Sequence, residues 1–144
     1  MQAVKKAYTT AIIALLIVPI LMAAIPLASA ATVSTVTVSV SPDMIATGGS
    51  VTITVTAALS EAATASETFD YSIEVTKPDG TKDTKTGTYT ATGGETSIPI
   101  SVTYPTDFTG AATDVLGSYS VTATVGGVEA TEPVSYTHLT LPTN

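Results

Sequence analysis

Few side chains in this 144-residue chain can do chemistry. There is one histidine, His138, with five lysines, no arginine and no cysteine. Without cysteine there are no thiol nucleophiles, thiolate metal sites or disulfides. Serines are plentiful, but a serine nucleophile needs a base within hydrogen-bond reach. His138 lies in a C-terminal stretch set apart below. Lys77, Lys82 and Lys85 crowd onto one predicted hairpin, where solvated lysines are expected. Asp79, Asp83 and their neighbours do not fit a calcium loop of the EF-hand pattern. Asp107 and Asp114 flank Thr109–Thr113; between a weak calcium pair and two turn caps, capping is the reading taken. Gly48-Gly49 and Gly93-Gly94 fall between predicted strands, with no helix behind them to receive a phosphate. The sequence therefore reads as non-catalytic, with no catalytic, cofactor-binding or metal-ligating residue assigned and no cofactor.

The elements that would carry such residues are bounded first by composition. The length fits one domain, and about 100 residues after a leader suit one β-sandwich without bridges or metals. Charge is uneven. Lys5 and Lys6 open the chain, and from Ala31 onward three lysines stand against twelve acids, a net of −9. Such a surface excludes nucleic acid, which needs a basic face, and disfavours anionic headgroups. Other proteins and surface glycans are the partners left, and the oligomeric state is not legible.

The first thirty residues read as a secretory signal. Lys5-Lys6 is a short positive start, Ala11–Leu27 an apolar helix-forming run, and Ala28-Ser29-Ala30 the small-x-small site for cleavage after Ala30. This places the protein outside the cytoplasm, secreted or on the cell envelope, with membrane contact only through the leader or a missing C-terminal anchor. Two rivals stand beside it. The run approaches the length of a membrane anchor. Lys5-Lys6-Ala7-Tyr8-Thr9-Thr10 before an apolar run also resembles archaeal type IV pilin precursors, which would make Tyr8 the mature terminus. Pro19 and Pro26 interrupt the hydrogen bonding such a retained helix needs.

The other end is anomalous. Val134–Thr143, VSYTHLTLPT, resembles a translated transposon-end sequencing adapter: GTC TCT TAT ACA CAT CTG ACG CTG CCG ACG encodes those residues in order. Residues 133–144 are therefore read as a non-native tail, His138 as no evidence of a site, and the natural protein as continuing beyond Glu132. A genuine last strand through Val134-Ser135-Tyr136 is the competing reading. The organisation expected is signal peptide 1–30, sandwich 31–132 and tail 133–144.

Between the ends, apolar and polar residues alternate with the period of half-buried strands. Val36, Val38 and Val40 form one set; Val51, Ile53 and Val55 a second; Phe69, Tyr71, Ile73 and Val75 a third. Ile98, Ile100, Val102 and Tyr104, then Tyr119, Val121, Ala123 and Val125, complete the strong ones. Thr88-Tyr89-Thr90 marks a weaker edge strand, and Val128-Glu129-Ala130 starts a last one. Lys77-Pro78-Asp79-Gly80 and Gly126-Gly127 are turn signals. Ala57–Thr68 has helix formers but no apolar stripe, and reads as a loop or single helical turn. The threonines and serines occupy outward positions, which suits a solvated sheet face.

The expected fold is all-β, an antiparallel sandwich of about seven strands. Three stretches carry a resemblance: VSVSPDMIATGGSVTITVTA (Val38–Ala57), YSIEVTKPDGTKDTKTGTYT (Tyr71–Thr90) and DVLGSYSVTATV (Asp114–Val125). Together they resemble bacterial and archaeal immunoglobulin-like and macroglobulin-like cell-surface domains, over Val33–Ala130. The resemblance implies a tyrosine corner at Tyr119, with Asp114 and Gly117 upstream. It also implies a spacer, stalk or adhesion role. Lacking tryptophan and a cysteine pair, the chain departs from the antibody type. An accessory domain of an extracellular enzyme or solute-binding protein is the further alternative.

Overall fold

The computed structural model describes residues 29–136, with backbone alone for 134–136. The apolar run, Ala28 and His138 lie outside them; Ser29 and Ala30 are exposed and irregular, and Ala31 already belongs to the core. Among the described residues there is no helix long and apolar enough to cross a membrane.

Seven strands follow in order: β1 (Val33–Ser41), β2 (Val51–Leu59), β3 (Thr68–Thr76), β4 (Lys82–Thr90), β5 (Ser97–Tyr104), β6 (Gly117–Val125) and β7 (Val128–Tyr136). They build two antiparallel sheets, β1-β2-β5 and β4-β3-β6-β7. The alternation read in the sequence is the alternation of burial. Along β2, Val51, Ile53, Val55 and Ala57 point inward while Thr52, Thr54 and Thr56 are exposed. Ile73 and Val75 of β3, Ile98 of β5 and Val121, Ala123 and Val125 of β6 are wholly shielded. The inner faces of both sheets merge into one core. Burying each β-branched or aliphatic side chain contributes about 1.5–3 kcal/mol, and no disulfide supplements it.

Turn chemistry sets the register. Gly126 and Gly127 both have positive φ, 54° and 86°, the backbone of a type I′ hairpin, and Val125 pairs directly with Val128 across it. In the β3–β4 hairpin the Gly80 amide donates to the Lys77 carbonyl, 2.9 Å, and Gly80 takes φ 84°. Asp79 Oδ1 accepts from the Thr81 amide and hydroxyl, which locks this turn and holds the Asp79 carboxyl below its usual range.

Two elements differ from the sequence reading. β2 continues through Ala57, Ala58 and Leu59, because Ala57 and Leu59 keep the inward phase of the strand. The remaining loop, 60–67, is held by backbone bonds to the 91–95 loop: Ala63 N–H to Glu95 O, Gly94 N–H to Ala63 O, and Ser66 N–H to Ala91 O. β4 spans nine residues, not three; its Lys82–Gly87 portion is polar on both faces, so it carries no period-two signal and is recruited by pairing with β3. The β7 backbone passes Glu132 and pairs with β6 as far as Tyr136, opposite Gly117.

The core makes a direct prediction. Ile73→Ala, at a wholly buried position in the centre of β3, lowers unfolding free energy by about 2–5 kcal/mol. Val38→Ala on the half-exposed edge strand β1 costs far less. Urea unfolding followed by circular dichroism measures both, and equal losses would contradict the burial pattern.

Candidate functional site

The polar chemistry of the molecule gathers at the sandwich end formed by loops 42–50, 77–81 and 105–116. Tyr104, the last residue of β5, is fully buried. Its ring meets Phe108 edge-on at 5.2 Å between centroids, and Tyr119 at 6.3 Å. Its hydroxyl lies 2.7 Å from Asp83 Oδ2 and 3.2 Å from the Ala112 carbonyl. Asp83 belongs to β4, so this bond joins the two sheets directly. Lys77, at the end of β3, places Nζ 3.2 Å from the same Asp83 oxygen, with only 12% of its side chain exposed. The lysine expected in solvent is thus folded under, while Lys82 stays largely exposed and pairs with Glu74 at 2.8 Å.

Tyr119 is nearly as buried as Tyr104, and its hydroxyl donates to the Val115 carbonyl at 2.7 Å. Asp114 is exposed, close enough to Lys77 to act on its charge. Gly117 has φ 135°, and a Cβ there would meet Pro78 at 2.8 Å, so only glycine lets the chain enter β6 against the β3–β4 turn. Thr113 joins the remaining loop: its hydroxyl donates to the Gly49 carbonyl at 2.8 Å, and its own carbonyl accepts from the Gly48 amide at 3.0 Å. Asp107 caps its own turn by accepting from the Thr103 amide, leaving it apart from Asp114 in function. Among the described residues no group of three or more metal-ligating side chains exists.

Three titrations shift together. Burial acts to lower the Lys77 pKa, but the hydrogen bond and charge of Asp83, with the charge of Asp114, outweigh it and raise it above the usual 10.5. Burial raises Tyr119 above 10.0, partly offset by the charge of Lys77. Tyr89 is raised by desolvation and by Glu95, whose Oε1 accepts its proton at 3.1 Å.

A second feature lies on the four-stranded sheet. Asp70, Ser72, Thr86, Thr88 and Thr124, with Tyr71, Gly87 and Gly127, line an open hollow of about 500 Å³. Thr88 Oγ1 donates to Asp70 Oδ1 at 2.9 Å. The Tyr71 ring lies across Gly87, its directly paired residue, where a Cβ would sit 2.4 Å from the tyrosine oxygen. Hydroxyls and one carboxylate there can hydrogen-bond a polar surface.

Sequence reasoning singled out Tyr119, Asp114 and Gly117 but missed Tyr104 and Asp83. Tyr104 closes an apolar set and read as plain core; the one available signal was that a buried tyrosine hydroxyl needs a partner.

No protein-family model matches the chain. The curated proteins contain no match either. Among solved structures, one similar fold is the alkylpurine DNA glycosylase AlkC of Pseudomonas fluorescens, bound to DNA containing an abasic-site analogue. The identity is 15% and the TM-score 0.46, over 76% of this chain and 31% of that one. The chain thus spans about a third of that protein's length, and a likeness at this level carries no argument.

Two predictions follow from the junction. Tyr119→Phe strands the Val115 carbonyl and costs about 1–3 kcal/mol in urea unfolding, with the β spectrum unchanged; a neutral result would mean the bond is replaceable by water. Lys77, Tyr119 and Tyr89 all have raised folded-state values, so their stabilisation is full below pH 10 and is lost as pH rises through those values. Thermal unfolding between pH 8 and 12 should show that loss (window from the usual lysine and tyrosine range), and Lys77→Met should flatten part of it.

Proposed function

We propose that this chain is a non-catalytic, immunoglobulin-like module of a secreted or cell-surface protein, serving as a spacer or adhesion domain. The observation that carries this is the use made of its reactive side chains. Lys77, Asp83, Tyr104, Tyr119 and Asp107 are each bonded to another part of the same fold, at the joins between sheets and turns. Groups held in that way stiffen a module rather than meet a substrate.

The immunoglobulin-like assignment draws support from the Tyr119–Val115 bond. It joins a tyrosine near the start of the sixth strand to backbone four residues upstream, the pattern of a tyrosine corner. One departure separates the chain from the constant-type arrangement. There the fourth strand joins the sheet of the first two, whereas here β4 pairs with β3 in the four-stranded sheet. That places the subtype, not the sandwich, in question. The faces of the sheets suit a spacer. The outer face of β1-β2-β5 carries Thr35, Thr37, Ser39 and Ser41, Thr52, Thr54, Thr56 and Ala58, and Ser97, Pro99, Ser101 and Thr103, with no charge. Contact with another protein or a glycan would fall to the loop end, where Met44 and Leu116 are exposed, or to the Asp70–Thr124 hollow.

Secretion is tested by the mature terminus. Mass spectrometry of the chain recovered from the extracytoplasmic fraction should show it beginning at Ala31. A start at Tyr8 would replace this reading with a pilin-type filament subunit, and an intact N-terminus would make residues 11–27 an anchor. Long-read sequencing of the source DNA across the Glu132 codon should continue into further domains rather than through Val134–Asn144.

A further inference from the structure

The described chain enters the sandwich at one end and leaves it at the other. Entry is at Ala31, which is already buried in the core. Before β1 begins, the Ser60 amide donates to the Thr32 carbonyl at 2.8 Å, and the Thr32 amide donates to Ser60 Oγ at 3.2 Å. Val33 then packs on the β6–β7 turn, where a Cβ on Gly126 would come within 2.7 Å of its Cγ2. The Gly126 amide in turn donates to the Asp70 carbonyl near the start of β3. Exit is beside loops 77–81 and 105–116, where Tyr136 of β7 pairs with Gly117.

The two terminal strands therefore run the same way, side by side, without pairing to each other. Each is held in its own sheet by one antiparallel ladder. β1 pairs with β2 from Val33 opposite Leu59 to Ser41 opposite Thr52. β7 pairs with β6 from Val128 opposite Val125 to Tyr136 opposite Gly117. A pull between the two ends draws β1 one way and β7 the other, each along its own axis. Antiparallel ladder bonds lie perpendicular to the strands. A pull along a strand loads all of them together, whereas a pull across it loads the end pair and opens the ladder one pair at a time. Both terminal ladders lie in the first geometry. Sliding β1 by one residue would also carry Val36, Val38 and Val40 off the face they share with the core.

We infer that the sandwich is a tension-bearing module. Force applied between its ends is carried in shear by the β1–β2 and β6–β7 ladders, and the fold resists it far better than a force that peels β1 away from β2. This deepens the spacer reading and rests on it for the source of the tension, a surface on one side and a held partner on the other. The resistance itself is a property of the strand topology.

The test is single-molecule force spectroscopy on the full chain, in mild detergent to solvate residues 11–27. The chain has no cysteine, so introduced cysteines define where it is gripped. One variant carries S29C and a cysteine added after Asn144, which pulls end to end. A second carries S29C/E61C, both at exposed loop positions at the entry end, which pulls β1 and β2 apart sideways. Urea unfolding should give the two variants the same stability. Rupture force reports the unfolding barrier along the pulled direction rather than that equilibrium. At one loading rate, the end-to-end grip should rupture at a several-fold higher force than the sideways grip. Equal forces in the two grips, or a lower force end to end, would overturn the inference. Failure of the spacer reading is separable: a mature terminus at Tyr8 would remove the secreted-module role and leave the force difference standing.

Discussion

This fold depends on two sheets that must bury β-branched side chains against each other with nothing else to hold them. The chain has no disulfide and no tryptophan, and just two phenylalanines. Its core is chiefly valine, isoleucine and alanine, stiff residues that fill a sandwich well when each strand keeps its phase. A one-residue slip on any inner strand would turn that strand's apolar set to water. The structure therefore fixes phase at the ends of strands. Gly126-Gly127 sets β6 against β7, the Asp79–Thr81 turn sets β3 against β4, and the paired loops 60–67 and 91–95 fix β2 and β5.

Hydrogen-bonded ladders run within a sheet and say nothing about how one sheet sits on the other. That is the part played by Tyr104 and Asp83. A core of branched aliphatics would accept several offsets of the two sheets at similar cost. The 2.7 Å bond from a buried tyrosine on β5 to a carboxylate on β4 is satisfied at one offset alone. Lys77 neutralises the carboxylate from the same side, which a nearly buried charge requires. In that light the pair contributes position more than net stability: replacing one partner would leave the other buried and unmatched. The same end holds Tyr119, Thr113 and Gly117, which tie the loops there to one another and to the sheets.

The sequence made the strong strands legible because their two faces see different solvents. β2, β3, β5 and β6 each alternate without a break, and the turns between several of them carry the residues their backbone angles demand. β4 was legible only at Thr88–Thr90. An edge strand has one neighbour, so its inner residues need not be apolar, and Asp83 and Lys85 erase the period while still pairing with β3. Ala57–Leu59 was misread for a related reason: alanine carries too little hydrophobic signal to separate a strand end from a loop. Tyr119, with Asp114 and Gly117, was singled out through the resemblance of Asp114–Val125 to an immunoglobulin-like strand. Tyr104 was not, because its partner lies 21 residues upstream on another sheet, and no local spacing encodes that meeting.

Charge placement follows from these demands. Acids cannot enter the core, and the outer face of β1-β2-β5 is threonine and serine apart from Ala58 and Pro99, which satisfies strand propensity and hydration without charge. The carboxylates are left for turns, where they cap amides, and for the four-stranded sheet with its edges, where they discourage pairing. An acidic net charge is then the by-product of capping and edge protection in a chain nearly free of basic residues.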